Sequence, residues 1–131
     1  MRVFCYFNLH RKCFSLKAMD GPDKGRVVAH ADAVHLKDVS FKVSAAGRNR
    51  VLRERRKNVH AGAVGTVERF LAHGAEMGRQ WLSAKENFET AGRAVSYNPY
   101  KAGHFFEVDS GAAVLSASEC MLHGKSALVL A

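Results

Sequence analysis

The feature that most limits the fold of this chain is the way clusters of turn-forming residues cut it into short apolar stretches. Such clusters occupy residues 21–25, 98–99, 109–111 and 123–125. The stretches that flank them are rich in aromatic and aliphatic residues and have the lengths typical of strands. This pattern predicts a largely antiparallel sheet.

The strands can be placed along the chain from the same pattern. Residues 3–8 and 13–19 flank a polar turn and predict a hairpin. Residues 26–30 and 39–43 are predicted as two further short strands, separated by a connection over 32–37. A closing series of strands is predicted over residues 94–97, 104–108, 113–122 and 126–130.

Two segments have a helical composition. The segment that starts at Ser44 can be capped by that residue, and it predicts a basic helix with Val51 and Leu52 packed inward. Residues 74–93 predict a helical or loosely ordered insertion, with one face formed by Met77, Trp81, Leu82, Lys85 and Phe88.

Residues 59–71 suit either a strand or a helix, and their glycines favour a strand or turn before a short helix that starts near Thr66. Together these segments predict the α+β class: a small single domain over residues 1–131, mostly antiparallel sheet with one or two helices.

Composition limits the function classes. The chain has 131 residues, of which 47% are hydrophobic, so it contains enough apolar material for a core. No apolar run is long enough for a membrane span, and the N-terminus has no signal-peptide pattern. Three cysteines without CxxC spacing favour reduced thiols in the cytoplasm, although a bridge between Cys5 and Cys13 across the first hairpin is an alternative.

The net charge of +8 is concentrated in one short segment. Residues 42–57 contain a single acid, Glu54, and seven bases: Lys42, Arg48, Arg50, Arg53, Arg55, Arg56 and Lys57. Arginines grouped on one segment form bidentate bonds with phosphates and attract polyanions. We therefore predict that Arg48, Arg50, Arg53, Arg55, Arg56 and Lys57 bind nucleic acid, the alternative being a solvated helix face.

A second polar segment contains residues suited to single-stranded nucleic acid. Tyr97 and Tyr100 flank an Asn-Pro turn, and Lys101 and His104 follow. Tyrosines at a strand end can stack on bases, while lysine and histidine contact phosphate. Tyr100 and His104 are therefore predicted to join the binding surface. The alternative is a turn whose tyrosines pack against the sheet.

The seven histidines of the chain are candidates for catalytic and metal-binding roles. His60 directly follows the basic segment, and with Tyr97 and Lys101 it forms a candidate catalytic set for metal-independent RNA cleavage. His30, Asp32 and His35 lie within six residues, but their spacing matches no ligand motif. No cofactor or metal is predicted.

Several strings resemble known proteins. Residues 8–10, 12–15, 21–27 and 46–60, with residues 97–101 and Phe105, resemble small uncharacterised proteins encoded by tailed bacteriophages, which implies a viral origin rather than an activity. The architecture is also similar to the barnase/colicin/RelE-like ribonucleases. That similarity implies roles for Arg53 and Arg56 on the helix, His60 after it, and Tyr97 and Lys101 on a later strand.

The prediction from the sequence is therefore a basic nucleic-acid-binding protein of phage type in the host cytoplasm, with RNA or single strands slightly favoured. One alternative is a metal-independent endoribonuclease. Another is an anti-defence or host-takeover factor that binds an acidic protein partner, which an exposed apolar patch at Met77, Trp81 and Phe88 would favour. No membrane association is predicted.

Overall fold

A computed structural model describes residues 1–8, 10–43, 49, 52–53, 61–96, 105–124 and 126–130. Of these residues, 60% lie in strands and 15% are helical. The fold is therefore all-β-like, with one helix whose two ends both lie within the described residues. The predicted α+β class is wrong. The error arose in two segments that were predicted as a connection and as a short helix but form strands.

The described chain contains nine strands and the helix α1 (Arg79–Ala91). The strands are β1 (Arg2–Asn8), β2 (Cys13–Ala18), β3 (Val27–Val43), β4 (Ala61–Ala72), β5 (Arg93–Ser96), β6 (Phe105–Glu107), β7 (Ala113–Val114), β8 (Ser116–His123) and β9 (Ser126–Leu130).

All nine strands belong to one sheet, in the order β2-β1-β4-β3-β8-β9-β5-β6-β7, and each pairing is antiparallel. Strand β2 also pairs with β3, so the first four strands form a closed ring of hydrogen-bonded neighbours. Strands β7 and β8 are separated only by Leu115, which joins the far edge of the sheet back to β3. The sheet therefore curls around its own interior.

Strand β3 is one continuous strand where the sequence predicted two. The polar residues Asp32, His35 and Lys37 suggested a connection, but each lies in a strand that pairs with neighbours along both edges. Its 17 residues bend at register irregularities, one of them between Lys37 and Ser40, where Asp38 has a φ of 51°. Such bulges allow a long strand to change direction without ending.

Strand β4 replaces the short helix that was predicted near Thr66. Its glycines allow close packing: a Cβ on Gly62 would collide with the backbone oxygen of Cys5 and the Phe4 ring. A Cβ on Gly65 would lie 3.0 Å from the backbone oxygen of Lys37. Since glycine carries no side chain, the neighbouring strands can approach at these two positions.

The interior of the curled sheet forms the main core. Its fully buried large residues include Val3, Phe14, Leu16, Leu36 and Leu122. They come from the four strands β1, β2, β3 and β8. A second apolar cluster lies under α1, where Trp81 and Phe88 pack with Ala33, Leu71 and Met121. Because Leu128 and Leu130 pack against the same cluster, α1 covers the outer face of β3, β4, β8 and β9.

Helix α1 confirms that the segment 74–93 contains a helix, but only part of the predicted face is buried. Trp81 and Phe88 are buried, whereas Leu82 is 53% exposed. The buried positions of Trp81 and Phe88 also mean that the apolar patch predicted for a protein partner is not exposed at these residues. Leu52, which was predicted to pack inward, is 69% exposed.

The three cysteines are free and buried. The hairpin β1–β2 is confirmed, but its register pairs Cys5 with Leu16 and Cys13 with Asn8, so the two cysteines do not face each other as the alternative required. Burial raises the pKa of the Cys5 and Cys120 thiols well above the ordinary value.

Candidate functional site

Most of the predicted site lies outside the described residues. Arg53 is the one member that the structure describes, and it is helical and exposed. The others fall outside the described ranges: Arg48, Arg50, Arg55, Arg56, Lys57, His60, Tyr97, Tyr100, Lys101 and His104. What the described residues give is the position of the strands to which these segments are joined.

The basic segment is joined to the sheet at two neighbouring positions. Strand β3 ends at Val43 and β4 begins at Ala61, and these two residues are register partners. Residues 44–60 carry Glu54 and six bases by sequence. The segment therefore leaves and re-enters the sheet at adjacent positions.

The tyrosine-containing segment is joined to the sheet in the same way. Strand β5 ends at Ser96 and β6 begins at Phe105, and Ser96 is the register partner of Phe106. Residues 97–104 are therefore held at both ends by one antiparallel pair.

A pair of aromatic rings connects the two attachment points. The Phe41 and Phe105 ring centroids are 4.2 Å apart, with the planes inclined at 31°. Phe41 lies two residues before the end of β3, and Phe105 directly follows His104. The Phe41 N–H also donates to the backbone oxygen of Leu115 at 3.0 Å. The curled sheet thus brings together the points at which two segments, some forty residues apart in sequence, are attached to it.

A separate polar cleft lies between α1 and the outer face of the sheet. Its volume is about 600 Å³. Strands β3, β4 and β8 supply one wall and α1 supplies the other. The lining residues are His35, Lys37, Glu68, Arg69, Arg79, Gln80, Ser83, Ala84, Asn87, Phe88 and Glu119.

His35 is the most constrained side chain of this cleft. Its Nε2 donates to Glu119 Oε1 at 3.0 Å, and its ring meets Phe88 edge-on with centroids 5.0 Å apart. The residue is only 6% exposed, and its Nδ1 has no hydrogen-bond partner among the described residues. A buried polar atom without a partner is costly, so this nitrogen, which solvent does not reach, is an unsatisfied hydrogen-bonding group.

The cations of the cleft differ in their pairing. Lys37 Nζ lies 3.5 Å from Glu68 Oε2, which balances its charge. Arg69 and Arg79 form no ion pair with any residue that the structure describes. The cleft therefore contains two guanidinium groups that form no direct ion pair with a described residue.

A further polar cluster lies where β4 ends beside β3. His73 Nδ1 donates to Asp32 Oδ1 at 2.7 Å, and the Gly74 N–H donates to Asp32 Oδ2 at 2.9 Å. These two bonds, the His73 one first, lower the pKa of Asp32. Nearby, Ser15 Oγ and His30 Nδ1 are hydrogen-bonded at 3.1 Å.

This cluster does not have the geometry of a nucleophilic triad. Ser15 is fully buried, and the histidine it contacts is His30, whereas the carboxylate Asp32 contacts His73. A triad requires one imidazole between the hydroxyl and the carboxylate. Burial, aided by the charges of Arg11 and His73, lowers the pKa of His30.

The metal reading of residues 30–35 finds no geometric counterpart. Within the described ranges no three His, Cys, Asp or Glu side chains are grouped so as to hold a metal ion. Instead His30, Asp32 and His35 contact Ser15, His73 and Glu119 respectively.

Sequence reasoning did not find the cleft. His35 and Glu119 are 84 positions apart, and they meet because Lys37 is the register partner of Glu119 and His35 that of Met121. The available signal was the alternation within residues 33–37, in which Ala33, His35 and Lys37 share one face of a strand.

In the part of the chain that the structure describes, no helix is both long enough and apolar enough to cross a membrane.

Comparison with known proteins gives a consistent result. A family model described as "Mycobacterium phage L5 gene 82 protein" matches residues 1–130. The Gene 82 protein of Mycobacterium phage L5 is 34% identical over 128 residues, which cover 93% of this chain and 90% of that relative. No solved structure matches. The resemblance to small phage proteins is confirmed, and the resemblance to ribonucleases is unsupported.

Proposed function

This chain belongs to the family of the Mycobacterium phage L5 gene 82 protein, and from that premise we propose that it is a phage nucleic-acid-binding protein acting in the host cytoplasm. RNA or single-stranded nucleic acid is the favoured ligand class. The binding surface is proposed to lie where residues 44–60 and 97–104 join the sheet.

The observation that carries this proposal is the contact between Phe41 and Phe105 at 4.2 Å. This contact brings the attachment point of the arginine-rich segment beside the attachment point of the segment that contains Tyr97 and Tyr100. A strand of nucleic acid needs cations for its phosphates and aromatic rings for its unstacked bases. The proposal is that the two segments, which are joined to the sheet beside each other, supply these two kinds of residue to one ligand.

The preference for single strands follows from the residue types. These segments contain tyrosines and cationic residues by sequence, whereas duplex readout requires an element inserted into a groove with side chains directed at base edges. Stacking is tolerant of sequence, so weak sequence preference is expected.

The test is binding of a fluorescent single-stranded RNA, duplex RNA and duplex DNA across a salt series. For the Arg53→Ala/Arg56→Ala variant we expect weaker binding and a smaller salt slope, by about 1.4 for single strands if each arginine neutralises one phosphate. The matched control is Lys24→Ala/Arg26→Ala, which removes the same charge from the exposed turn before β3. Its slope should stay close to that of the unmodified chain.

Equal losses in both variants would show that only net charge matters and would contradict an assigned surface. No binding at low salt would contradict the proposal and direct the search to an acidic protein partner. A denaturing gel of each RNA after incubation tests the ribonuclease alternative, which predicts EDTA-resistant cleavage that His60→Ala abolishes.

A further inference from the structure

We propose that the cleft between α1 and strands β3, β4 and β8 binds a phosphorylated small molecule, with its phosphate held by Arg69 and Arg79. This inference goes beyond the proposed function, because the cleft is built from residues outside the two nucleic-acid segments. Its volume of about 600 Å³ is within the range of small-molecule sites.

The charge of the cleft selects an anion. The charged residues that line the cleft are three cations, Lys37, Arg69 and Arg79, and two carboxylates, Glu68 and Glu119, so its formal net charge is +1 when histidine is counted as neutral. Lys37 is the cation paired with Glu68, and neither arginine forms an ion pair with a described residue. A guanidinium binds phosphate through two parallel hydrogen bonds, which makes a pair of arginines better suited to phosphate than to a neutral ligand.

The N-terminus of α1 adds to this preference. Arg79 is the first residue of the helix, and Arg79 and Gln80 both line the cleft. The N-cap residue is Gly78, which has no side chain with which to cap the helix, and the first turn contains no acidic residue. The positive end of the helix dipole is therefore not neutralised by the chain itself, and an anion is stabilised there.

The unpartnered nitrogen of His35 is a separate observation at the cleft. His35 lines the cleft, is only 6% exposed, and leaves Nδ1 without a partner among the described residues. Because Nε2 donates to Glu119, Nδ1 of the uncharged ring is an acceptor, so its partner would be a hydroxyl of the ligand and not the phosphate. Since Nδ1 is shielded from solvent, this bond requires the ring to shift on binding. The uncharged groups of Gln80, Ser83 and Asn87 are available for the remainder of the molecule.

The experiment uses adenosine 5′-monophosphate and inorganic phosphate as probes, titrated into the full chain at constant ionic strength and followed by calorimetry and by NMR of the histidine rings. We expect saturable binding of the nucleotide, with a shift of the His35 ring signals. Arg69→Gln and Arg79→Gln should each weaken it about tenfold, the order expected for losing a charge-assisted bond. Arg26→Gln removes the same charge from the turn before β3 and should leave the affinity unchanged.

The readouts separate this proposal from nucleic-acid binding. Arg53→Ala/Arg56→Ala should retain the nucleotide affinity, and the two cleft variants should retain the salt slope for RNA. Each cleft variant is first checked for an unchanged circular dichroism spectrum, and Asn87→Ala replaces any variant that fails to fold. If neither probe saturates the protein at about 10 mM, the dissociation constant is weaker than millimolar, and the proposal is overturned. An equal loss of affinity in Arg26→Gln would also overturn it.

Discussion

At the scale of single residues, Asp32 fastens the end of β4 to β3. Its two carboxylate oxygens accept bonds from His73 Nδ1 and the Gly74 N–H, and these bonds lower its pKa below the ordinary value of 3.8. A carboxyl group whose pKa is lowered by folding stabilises the folded state above its unfolded pKa. That stabilisation is lost as the pH falls through the folded pKa.

We therefore predict that Asp32→Asn lowers the free energy of unfolding near pH 7 and that the difference from the unmodified chain shrinks as the pH drops below about 4. Urea denaturation between pH 2.5 and pH 7 measures this. Asp20→Asn is the matched control, because Asp20 is exposed and has no hydrogen bond or ion pair among the described residues. A constant difference over the whole pH range would contradict the assignment.

Individual residues were also where prediction from sequence was least complete. Seven histidines could be identified as chemically capable, but which of them meets a carboxylate depends on strand register. His35 meets Glu119 across 84 positions, and His73 meets Asp32 across 41. Local patterns contain no information about such pairings, so the cleft and the Asp32 cluster could not be found without the fold.

At the scale of elements, β4 depends on glycine for its packing against β1. A Cβ on Gly62 would collide with the backbone oxygen of Cys5, which cannot move aside without disturbing the strand, and with the Phe4 ring. We predict that Gly62→Ala lowers the free energy of unfolding by about 1–3 kcal/mol, the usual cost of overpacking.

The control for this prediction is Gly78→Ala. Nothing lies within 4 Å of a Cβ built on Gly78, and its φ of −77° suits any residue, so no overpacking is expected and the only cost, roughly 0.5–1 kcal/mol, is that alanine is less favoured than glycine at an N-cap. Thermal and urea denaturation of both variants measure the difference. If Gly62→Ala is as stable as Gly78→Ala, the close approach of β1 and β4 is wrong.

Elements with strong local signals were predicted, and those without them were not. The hairpin β1–β2 and the described parts of β5, β6, β8 and β9 follow from apolar stretches between turns. The sequence pattern predicts two strands in place of β3 because polar residues lie in its middle. The sheet accommodates them because His35 bonds to Glu119 beside α1 and Asp32 bonds to His73 at the surface. Strand β4 resembled a helix because Val64, Val67, Phe70 and Leu71 also have helical spacing, although its glycines favoured a strand or turn.

At the scale of the whole molecule, a single sheet links two halves of the chain. Strands β1 to β4 close a ring, β8 joins that ring at β3, and the strands from β9 to β7 continue around the same core. The predicted fold class was wrong because it counted elements one by one. The pairing of β1 with β4, in which Cys5 is the partner of Ala63, and the hydrogen bond from the Phe41 N–H to the Leu115 oxygen are long-range contacts that no short window of sequence contains.

The contact between Phe41 and Phe105 joins these two halves, so it should show energetic coupling. We predict a coupling of about 0.5–1.5 kcal/mol in a double-mutant cycle of Phe41→Leu and Phe105→Leu, measured by urea denaturation. Leucine is used because it retains most of the apolar volume and keeps the variants folded. The matched cycle pairs Phe105→Leu with Phe70→Leu, since Phe70 lies on β4 and is 42% exposed.

The second cycle should be additive within about 0.5 kcal/mol, because its two sites share no described contact. If the first cycle is additive as well, the two halves are not joined at this point. The proposed nucleic-acid surface would then lose its structural basis, since that surface requires residues 44–60 and 97–104 to leave the sheet side by side. The coupling energy of one aromatic pair thus tests the curl of the sheet and the position of the proposed surface together.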